Sequence, residues 1–448
     1  MRKKSTPIIA SVSGVRGILG DNLTPENITG FTSAFAEYCR ARYKTKTIVI
    51  GRDGRAYGDI IYSMVISTLF LAGFKVIHIG VVPTPTVQIA TEETEACGGI
   101  SLSASHNPQK WNGLKFLNPD GTFLDAEAME EIKKIAFKKK FYYAPLKELY
   151  PPVPDSSWSK KHIEKVLKMK ILDLKKIRKR KFKVVVDAVN SSGSLIVPEL
   201  LCRLGCEVIE LYTAPTGVFP HTPEPVPENL TDLCQAVIKH KADLGVAVDP
   251  DADRLVLITD KGEPFIEENT ITTVINHIFR KHKSQKLKAT VNLSTTRAVD
   301  DIAKEYKGKI FRTPVGEINV VKAMVRNKSI CGGEGSGGVI ISPAIGGHYG
   351  RDSLFGIAVI LNELADANIS LSKYKENLPK YKIEKTKLTI KDPSKFLRDI
   401  VRNNKKVKDC KITEIDGVKL DFKDFWVHFR KSNTEPVVRI IKETKIEK

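Results

Sequence analysis

Three stretches of this chain repeat one pattern of short apolar strands alternating with helices, each closing in a polar loop. In the first, Thr47–Gly51, Lys75–Ile79 and Gly98–Leu102 read as strands, with a helix over Asp59–Ala72. The closing loop is Ser103-Ala-Ser-His-Asn-Pro108. The second runs from strand Phe182–Asp187 through a helix near Leu195–Leu204 to strands Cys206–Leu211 and Ala242–Val248. It closes in Asp249-Pro-Asp-Ala-Asp-Arg254. The third has strands Ala289–Leu293, Lys309–Arg312 and Ser329–Cys331, with helices over Arg297–Tyr306 and Ile318–Val325. It closes in Gly332-Gly-Glu-Gly-Ser-Gly-Gly338. Short strands alternating with helices of this length imply βαβ units and mainly parallel sheets. Ligands of such sheets sit beyond the carboxyl ends of strands, where all three loops fall.

Beyond a helix over Asp352–Asp366 and a Lys-rich link over Ser372–Lys387, the pattern changes. A helix near Pro393–Asn403 precedes strands around Asp416–Phe422, Phe425–Phe429 and Val437–Ile441, with a turn over Arg430–Pro436. The expected architecture is α/β: three similar domains with mixed or parallel sheets, spanning 1–152, 153–262 and 263–370. A smaller C-terminal α+β domain spans 371–448.

Composition narrows the class. The formal charge of +20 over 448 residues is concentrated. Lys160–Lys183 and Leu371–Lys448 each carry +10, and the remainder balances. The chain is therefore not basic throughout, as a protein that coats nucleic acid would be. With 42% hydrophobic residues it can bury sizeable cores. No apolar run approaches the ~20 residues of a membrane span, and the N-terminal apolar segment is too short for a signal peptide. The seven cysteines are scattered and form no Cys-x-x-Cys, so incidental thiols in a reduced, cytoplasmic protein are expected.

The loops carry the chemistry. Asp249, Asp251 and Asp253 follow an apolar strand at alternate positions and repel one another unless a cation sits among them. Hard oxygen ligands on a tight loop suit Mg²⁺. An acidic cap is the plain alternative, and an aspartyl-phosphate phosphatase loop the sharper one. In the 103–108 loop, a serine beside an imidazole, with Lys115 ten residues on, can carry a phosphoryl group if metal and base are near; Ser, Asn and Pro equally make an ordinary turn. Glu334 and Ser336 sit in a glycine-rich loop through which backbone can approach a ligand, although it lacks the Lys-Ser/Thr of a P-loop. Arg430-Lys-Ser-Asn-Thr-Glu-Pro436 offers a guanidinium, hydroxyls and an amide to a phosphate, or is a hairpin turn. Ser11-Val-Ser-Gly-Val-Arg-Gly17 places Arg16 on a glycine-flanked loop.

Together, in this order, the loops resemble those of the α-D-phosphohexomutases, a family that includes phosphoglucomutase, phosphomannomutase and phosphoglucosamine mutase. The resemblance covers essentially the whole chain, from Gly14-Val-Arg-Gly17 and Gly51-Arg-Asp53 to the loop at Arg430. It implies four domains around a central cleft. It also implies that Ser105 is a phosphoserine carrier and that Asp249, Asp251 and Asp253, with Ser105, hold one Mg²⁺. Lys115 is the candidate for proton transfer, Arg16 for holding charge near the transferred group, and His106 for proton transfer or loop order. Arg254, Glu334 and Ser336 are implied on the sugar side, and Arg430, Ser432, Asn433 and Thr434 on the distal phosphate. The implied reaction interconverts hexose 1- and 6-phosphates, of glucose or mannose first and of glucosamine as the alternative. A hexose 1,6-bisphosphate serves as intermediate and activator.

Three positions depart from the family pattern. Ala10-Ser-Val stands for the opening Phe-Gly-Thr, Ser103 replaces a more usual Thr, and Gly338 stands where some members carry His. The basic stretch 160–183 motivates a nucleic-acid-binding reading. Its apolar Ile163, Val166, Leu167, Ile171 and Leu174 follow helical spacing, so a solvated helix face accounts for it as well, and no recognised nucleic-acid module accompanies it.

Overall fold

The computed structural model describes residues 8–282, 286–431 and 437–446. Its three α/β units are built alike. Strand Thr47–Arg52 pairs in parallel with Lys75–Val81 on one side and Gly98–Leu102 on the other. Lys183–Asp187 is likewise flanked by Glu207–Leu211 and Leu244–Val248, and Lys288–Asn292 by Lys309–Thr313 and Cys331–Glu334. In each unit the third strand then turns back into an antiparallel neighbour: Trp111–Leu117, Leu255–Thr259 or Gly338–Ile341. All three chemistry-bearing loops thus occupy one topological position, the reversal between the last parallel strand and the antiparallel one. The expected repeats are present, and the sheets are mixed.

The reversal also corrects one boundary. Gly332–Gly338 reads as a loop from its composition, but Cys331–Glu334 is a strand. Only Gly335-Ser-Gly337 is left to turn. Gly332 is in the sheet for want of room: a Cβ there would lie 2.3 Å from the Thr290 carbonyl oxygen.

One apolar core runs through all three α/β units, joining Val49 and Val87 of the first, Val186 and Leu255 of the second and Val291 and Leu354 of the third. Its centre is the helix Ser353–Ala367, buried along nearly its whole length. Asp352 caps that helix, accepting from the Leu354 and Phe355 N–H groups at 2.8 and 3.4 Å. Burial on every side suits a helix with no charge between Ser353 and Asn362.

The fourth unit is an all-antiparallel sheet of five strands, ordered Tyr381–Thr389, Val437–Lys445, Phe425–Lys431, Val418–Asp421, Lys411–Thr413. Helix Pro393–Asn404 lies across it over a small separate core of Val401, Val418 and Leu420. It meets the third unit through polar groups. Glu443 accepts from the Arg297 N–H at 2.9 Å, and Lys419 Nζ donates to the Leu293 carbonyl at 3.0 Å. The Lys-rich link is no link: it holds helix Leu371–Asn377 and most of the edge strand Tyr381–Thr389.

The basic stretch is not one helix but two, Trp158–Leu167 and Leu174–Arg180, the second started by the Asp173 side chain accepting from the Lys176 N–H. Ile163, Val166 and Ile177 are buried, and Lys161, Lys165, Lys176 and Lys183 pair with carboxylates. Among the described residues no single helix is long and apolar enough to cross a membrane.

Candidate active site

Ser105 lies at the tip of the first reversal with φ 48°, a left-handed conformation unusual for a residue with a side chain. What holds it there is Arg55, whose side chain is fully buried. Its guanidinium donates to the carbonyls of Ser105, Asn107 (2.7 Å), Pro108 (2.9 Å) and Trp111 (3.2 Å). Asp53 holds Arg55 in turn, Nε to Oδ2 at 3.1 Å. A single cation therefore gathers the loop's carbonyls beneath it and presents its hydroxyl above. Ser103 Oγ adds to this by accepting from the Ser105 N–H at 2.8 Å.

The metal-ligand candidates meet that hydroxyl from the second unit. Ser105 Oγ donates to Asp249 Oδ2 at 2.9 Å. Asp249 Oδ1 accepts from the N–H groups of Asp253 (3.1 Å) and Arg254 (3.2 Å). Lys115 Nζ pairs with Asp251 Oδ2 and stands 3.8 Å from Asp253 Oδ2. All three aspartates and Lys115 are buried. Burial, reinforced by Asp253 and Asp251, pushes the Asp249 carboxyl well up. Burial acts on Asp251 the same way, but Lys115 and Thr84 hold it well below the carboxylate range.

The loop is fixed from both sides: Thr84 of the first unit donates its N–H to the Asp251 carbonyl at 3.0 Å, and Leu255 N–H donates to the Gly337 carbonyl of the third at 2.9 Å. Ala252 at the turn is left-handed as well, φ 49°.

On the third reversal, Glu334 accepts from Asn292 Nδ2 (2.8 Å) and the Gly316 N–H (2.9 Å) at Oε1, and from Arg351 (2.8 Å) at Oε2. Burial raises this carboxyl, but Arg351, Asn292 and Gly316 together bring it below its ordinary value. Three loops from three units, carrying a hydroxyl, a carboxylate cluster and a held glutamate, thus converge on one cleft.

The three α/β units have counterparts in known proteins. Models of the phosphoglucomutase/phosphomannomutase α/β/α domains I, II and III match residues 8–143, 160–262 and 267–381. The chain belongs to the phosphoglucomutase/phosphomannomutase family. It is similar to a phosphoglucomutase/phosphomannomutase of Thermococcus kodakarensis, 36% identical over 436 residues, covering 97% of this chain and 94% of the relative. It is also similar to a phosphoglucosamine/phosphogalactosamine mutase of Sulfurisphaera tokodaii, 32% identical over 442 residues, covering 97% and 94%. Among solved structures, a phosphoglucomutase/phosphomannomutase family protein of Burkholderia thailandensis superposes with a TM-score of 0.86 at 25% identity, covering 98% of this chain and 93% of that one. As a phosphohexomutase-superfamily member the chain is an enzyme with mutase chemistry.

Of the residues expected from sequence in this phosphohexomutase, Ser105, His106, Lys115, Arg16, Asp249, Asp251, Asp253 and Arg254 come together. Arg16 donates to Asn107 Oδ1 at 3.2 Å, and burial pulls its guanidinium down against the attraction of Asp251 and Asp253. His106 Nδ1 lies 3.3 Å from Ser105 Oγ. Burial and the neighbouring Arg254, Arg16 and Arg351 push its pKa down to about 2, so the imidazole is neutral near pH 7. Arg254 bridges by backbone to Gly338, and Ser336 is half-buried in the three-residue turn. Arg430 is held by Asp416, Nε to Oδ2 at 2.8 Å; Ser432, Asn433 and Thr434 lie outside the described residues.

The carboxylate cluster fits a divalent ion such as Mg²⁺. Asp251 Oδ1 and Asp253 Oδ1 are buried without a hydrogen-bond partner, an expensive state for charged oxygens unless a cation takes them. A second grouping, His277, Glu363 and Asp366, fits poorly. Arg280 already pairs with Glu363, while Lys281 (2.7 Å), Lys176 (3.0 Å) and Arg280 (3.1 Å) surround Asp366.

Sequence reasoning missed Arg55 and Arg351. The available signals were a second arginine in Gly51-Arg-Asp-Gly-Arg55 and an Arg-Asp pair set directly before a helix uncharged through Asn362.

Proposed function

We propose that this phosphohexomutase interconverts the 1- and 6-phosphates of glucose or mannose through a phosphoserine at Ser105 and a hexose 1,6-bisphosphate. The observation that carries this reading is the contact of Ser105 Oγ with Asp249 Oδ2 at 2.9 Å, with Lys115 lodged against the same aspartate cluster.

The attacking sugar hydroxyl forms a bond to phosphorus as the bond to Ser105 Oγ breaks, and its proton has to reach the departing serine oxygen. Lys115, held by Asp251, is assigned that transfer. The step needs alignment and charge stabilisation more than covalent help. Ser105, Asp249, Asp251 and Asp253 would hold Mg²⁺, which when bound supplies positive charge beside the transferred group. Arg16 adds a fixed cation from strand Gly14–Ile18, which pairs antiparallel with the Lys115 strand Trp111–Leu117. His106, with Nδ1 3.3 Å from Ser105 Oγ, is assigned to loop order or to proton transfer.

After one transfer the intermediate must turn over so that its other phosphate faces Ser105. Glu334 and Ser336 are assigned to sugar hydroxyls, which both orientations present. Arg254 is assigned to the sugar side, and Arg430 with Ser432, Asn433 and Thr434 to whichever phosphate is not reacting.

Glucosamine phosphate is the alternative substrate, supported by the likeness to the phosphoglucosamine/phosphogalactosamine mutase of Sulfurisphaera tokodaii. A reduced, cytoplasmic setting suits the seven free thiols. The test supplies glucose, mannose and glucosamine 1-phosphates with Mg²⁺ and a trace of the matching bisphosphate. Conversion to 6-phosphates supports the reading, and the fastest substrate names the sugar. A folded, phosphorylated sample that converts none of them overturns it.

A further inference from the structure

Arg351 belongs to none of the three loops, yet its guanidinium joins carboxylate side chains of two of them, which otherwise meet through backbone. Nη2 pairs with Asp253 Oδ2 at 2.5 Å, Nη1 with Glu334 Oε2 at 2.8 Å and Nε with Glu317 Oε2 at 3.0 Å. The side chain is only 12% exposed. A guanidinium offers its N–H groups in fixed directions within one plane, so the two carboxylates that accept from Nη1 and Nη2, Glu334 and Asp253, are fixed relative to each other, while Nε has no hydrogen-bond partner and meets Glu317 only as an ion pair. Lysine, a point charge on a flexible stem, has no such geometry.

The contact decides which oxygens are left over. Arg351 takes Asp253 Oδ2, as Lys115 takes Asp251 Oδ2. What remains on each aspartate is Oδ1, and both Oδ1 atoms lack a hydrogen-bond partner. On the other side, Arg351 holds Oε2 of Glu334 while Asn292 and Gly316 hold Oε1. The carboxylate offered to a sugar is therefore clamped to the aspartate offered to a cation.

The room for this clamp comes from Gly338. No positive φ calls for glycine there. A Cβ at 338, however, would lie 2.4 Å from Arg351 Cδ and 3.1 Å from Cγ. Any side chain at 338 would displace the arginine stem. The glycine that breaks the family pattern in sequence is thus the space in which Arg351 runs.

Resting on the mutase reading above, we infer that Arg351 is a positioning residue. It locks the sugar-side Glu334 to the metal-side Asp253, and the absence of a side chain at Gly338 permits it to do so.

The test uses the full-length chain with Arg351→Lys, Arg351→Ala, Gly338→Ala and the Gly338→Ala/Arg351→Ala double variant. Two readouts are taken: Mn²⁺ affinity by electron paramagnetic resonance without sugar, and kcat and KM with glucose 1-phosphate and a trace of glucose 1,6-bisphosphate. Both Arg351 variants are expected to lose about 10–100-fold in Mn²⁺ affinity and in kcat, the usual effect of removing a partner that orients a metal ligand. Gly338→Ala should lose in the same direction. The double variant should be no worse than Arg351→Ala, because the clash needs the arginine stem. Should Arg351→Ala fail to fold, Arg351→Lys and Gly338→Ala carry the same comparison. Arg351→Lys with both readouts within about twofold of the parent, or strictly additive losses in the double variant, would overturn the inference. Ser105→Ala, assayed in parallel, judges the mutase reading separately: unchanged turnover there would sink that reading, while Mn²⁺ affinity would still judge Arg351.

Discussion

Ser105 and Asp249 meet across two sheets: the serine hydroxyl donates to Asp249 Oδ2 at 2.9 Å, though 144 residues separate them. Each sits at the same place in its own repeat, where the last parallel strand reverses into an antiparallel one. The repeated fold thus brings a hydroxyl from one copy to a carboxylate cluster from the next. The shared apolar core around the helix Ser353–Ala367 then holds those copies in register.

Ser105 has both the contact and the loop position expected of a carrier. Ser105→Ala is expected to reduce turnover by about 10⁴-fold or more, the scale on which covalent carriers fail. Mass spectrometry of peptides from the purified enzyme should locate phosphate on Ser105 and on no peptide of the variant. Lys115→Met should cost about 10²–10⁴-fold in kcat while leaving Ser105 phosphate detectable. Full activity in Ser105→Ala would rule the carrier out.

Arg55 and Asp53 form a buried pair whose job is to hold the serine loop. Arg55→Met leaves Asp53 charged and unpaired and frees the loop carbonyls now gathered by one guanidinium. Breaking such a pair costs about 3–5 kcal/mol. Urea unfolding should show a loss on that scale, with turnover falling because Ser105 is no longer held left-handed. Asp53→Asn/Arg55→Met should recover part of the stability and little of the activity. Equal recovery of both would reduce Arg55 to a structural residue.

What could be read from the chain beforehand follows a physical division. Ser105, Asp249 and Glu334 announce themselves because each loop is contiguous and its chemistry is local. Arg55 and Arg351 do not, since each works on residues remote in sequence: Arg55 on a loop 50 residues on, Arg351 on an aspartate 98 residues back. Strand Tyr381–Thr389 was hidden for another reason. It is a sheet edge, paired only with Val437–Lys445 and largely exposed, so it carries lysines and threonines in place of an apolar alternation. The break between Leu167 and Leu174 was hidden because apolar spacing continues across it.

Glu268 should give the enzyme a pH-dependent stability that does not involve the Asp249–Asp253 loop. It lies beneath the Gly335–Gly337 turn, accepting from the Thr296 N–H at 3.0 Å, and a Cβ at Gly335 would fall within 2.2 Å of its carboxyl oxygens. Burial raises its pKa from an ordinary 4.5 to about 8. Between those values the folded chain binds a proton that the unfolded chain has released, so this contribution to stability is lost as pH rises through that window. Glu268→Gln keeps the acceptor and removes the titration. Its unfolding free energy should fall less than that of the parent between pH 5 and 8 (about the span of the two pKa values). Parallel profiles would show that Glu268 does not titrate there.

The last expectation separates the two acidic clusters by the charge already spent on them. Asp251 Oδ1 and Asp253 Oδ1 are buried without a hydrogen-bond partner, so a divalent cation should bind the folded state and stabilise it. At a concentration of 100 times Kd the gain is about 2.7 kcal/mol. Thermal unfolding with and without Mg²⁺ should show that gain in the parent and not in Asp253→Asn. Asp366 is different, being surrounded by Lys281, Lys176 and Arg280. Asp366→Asn should lower the baseline stability yet keep the whole Mg²⁺ increment. An increment that survives Asp253→Asn and disappears in Asp366→Asn would move the cation to the second cluster and leave the two Oδ1 atoms without an explanation.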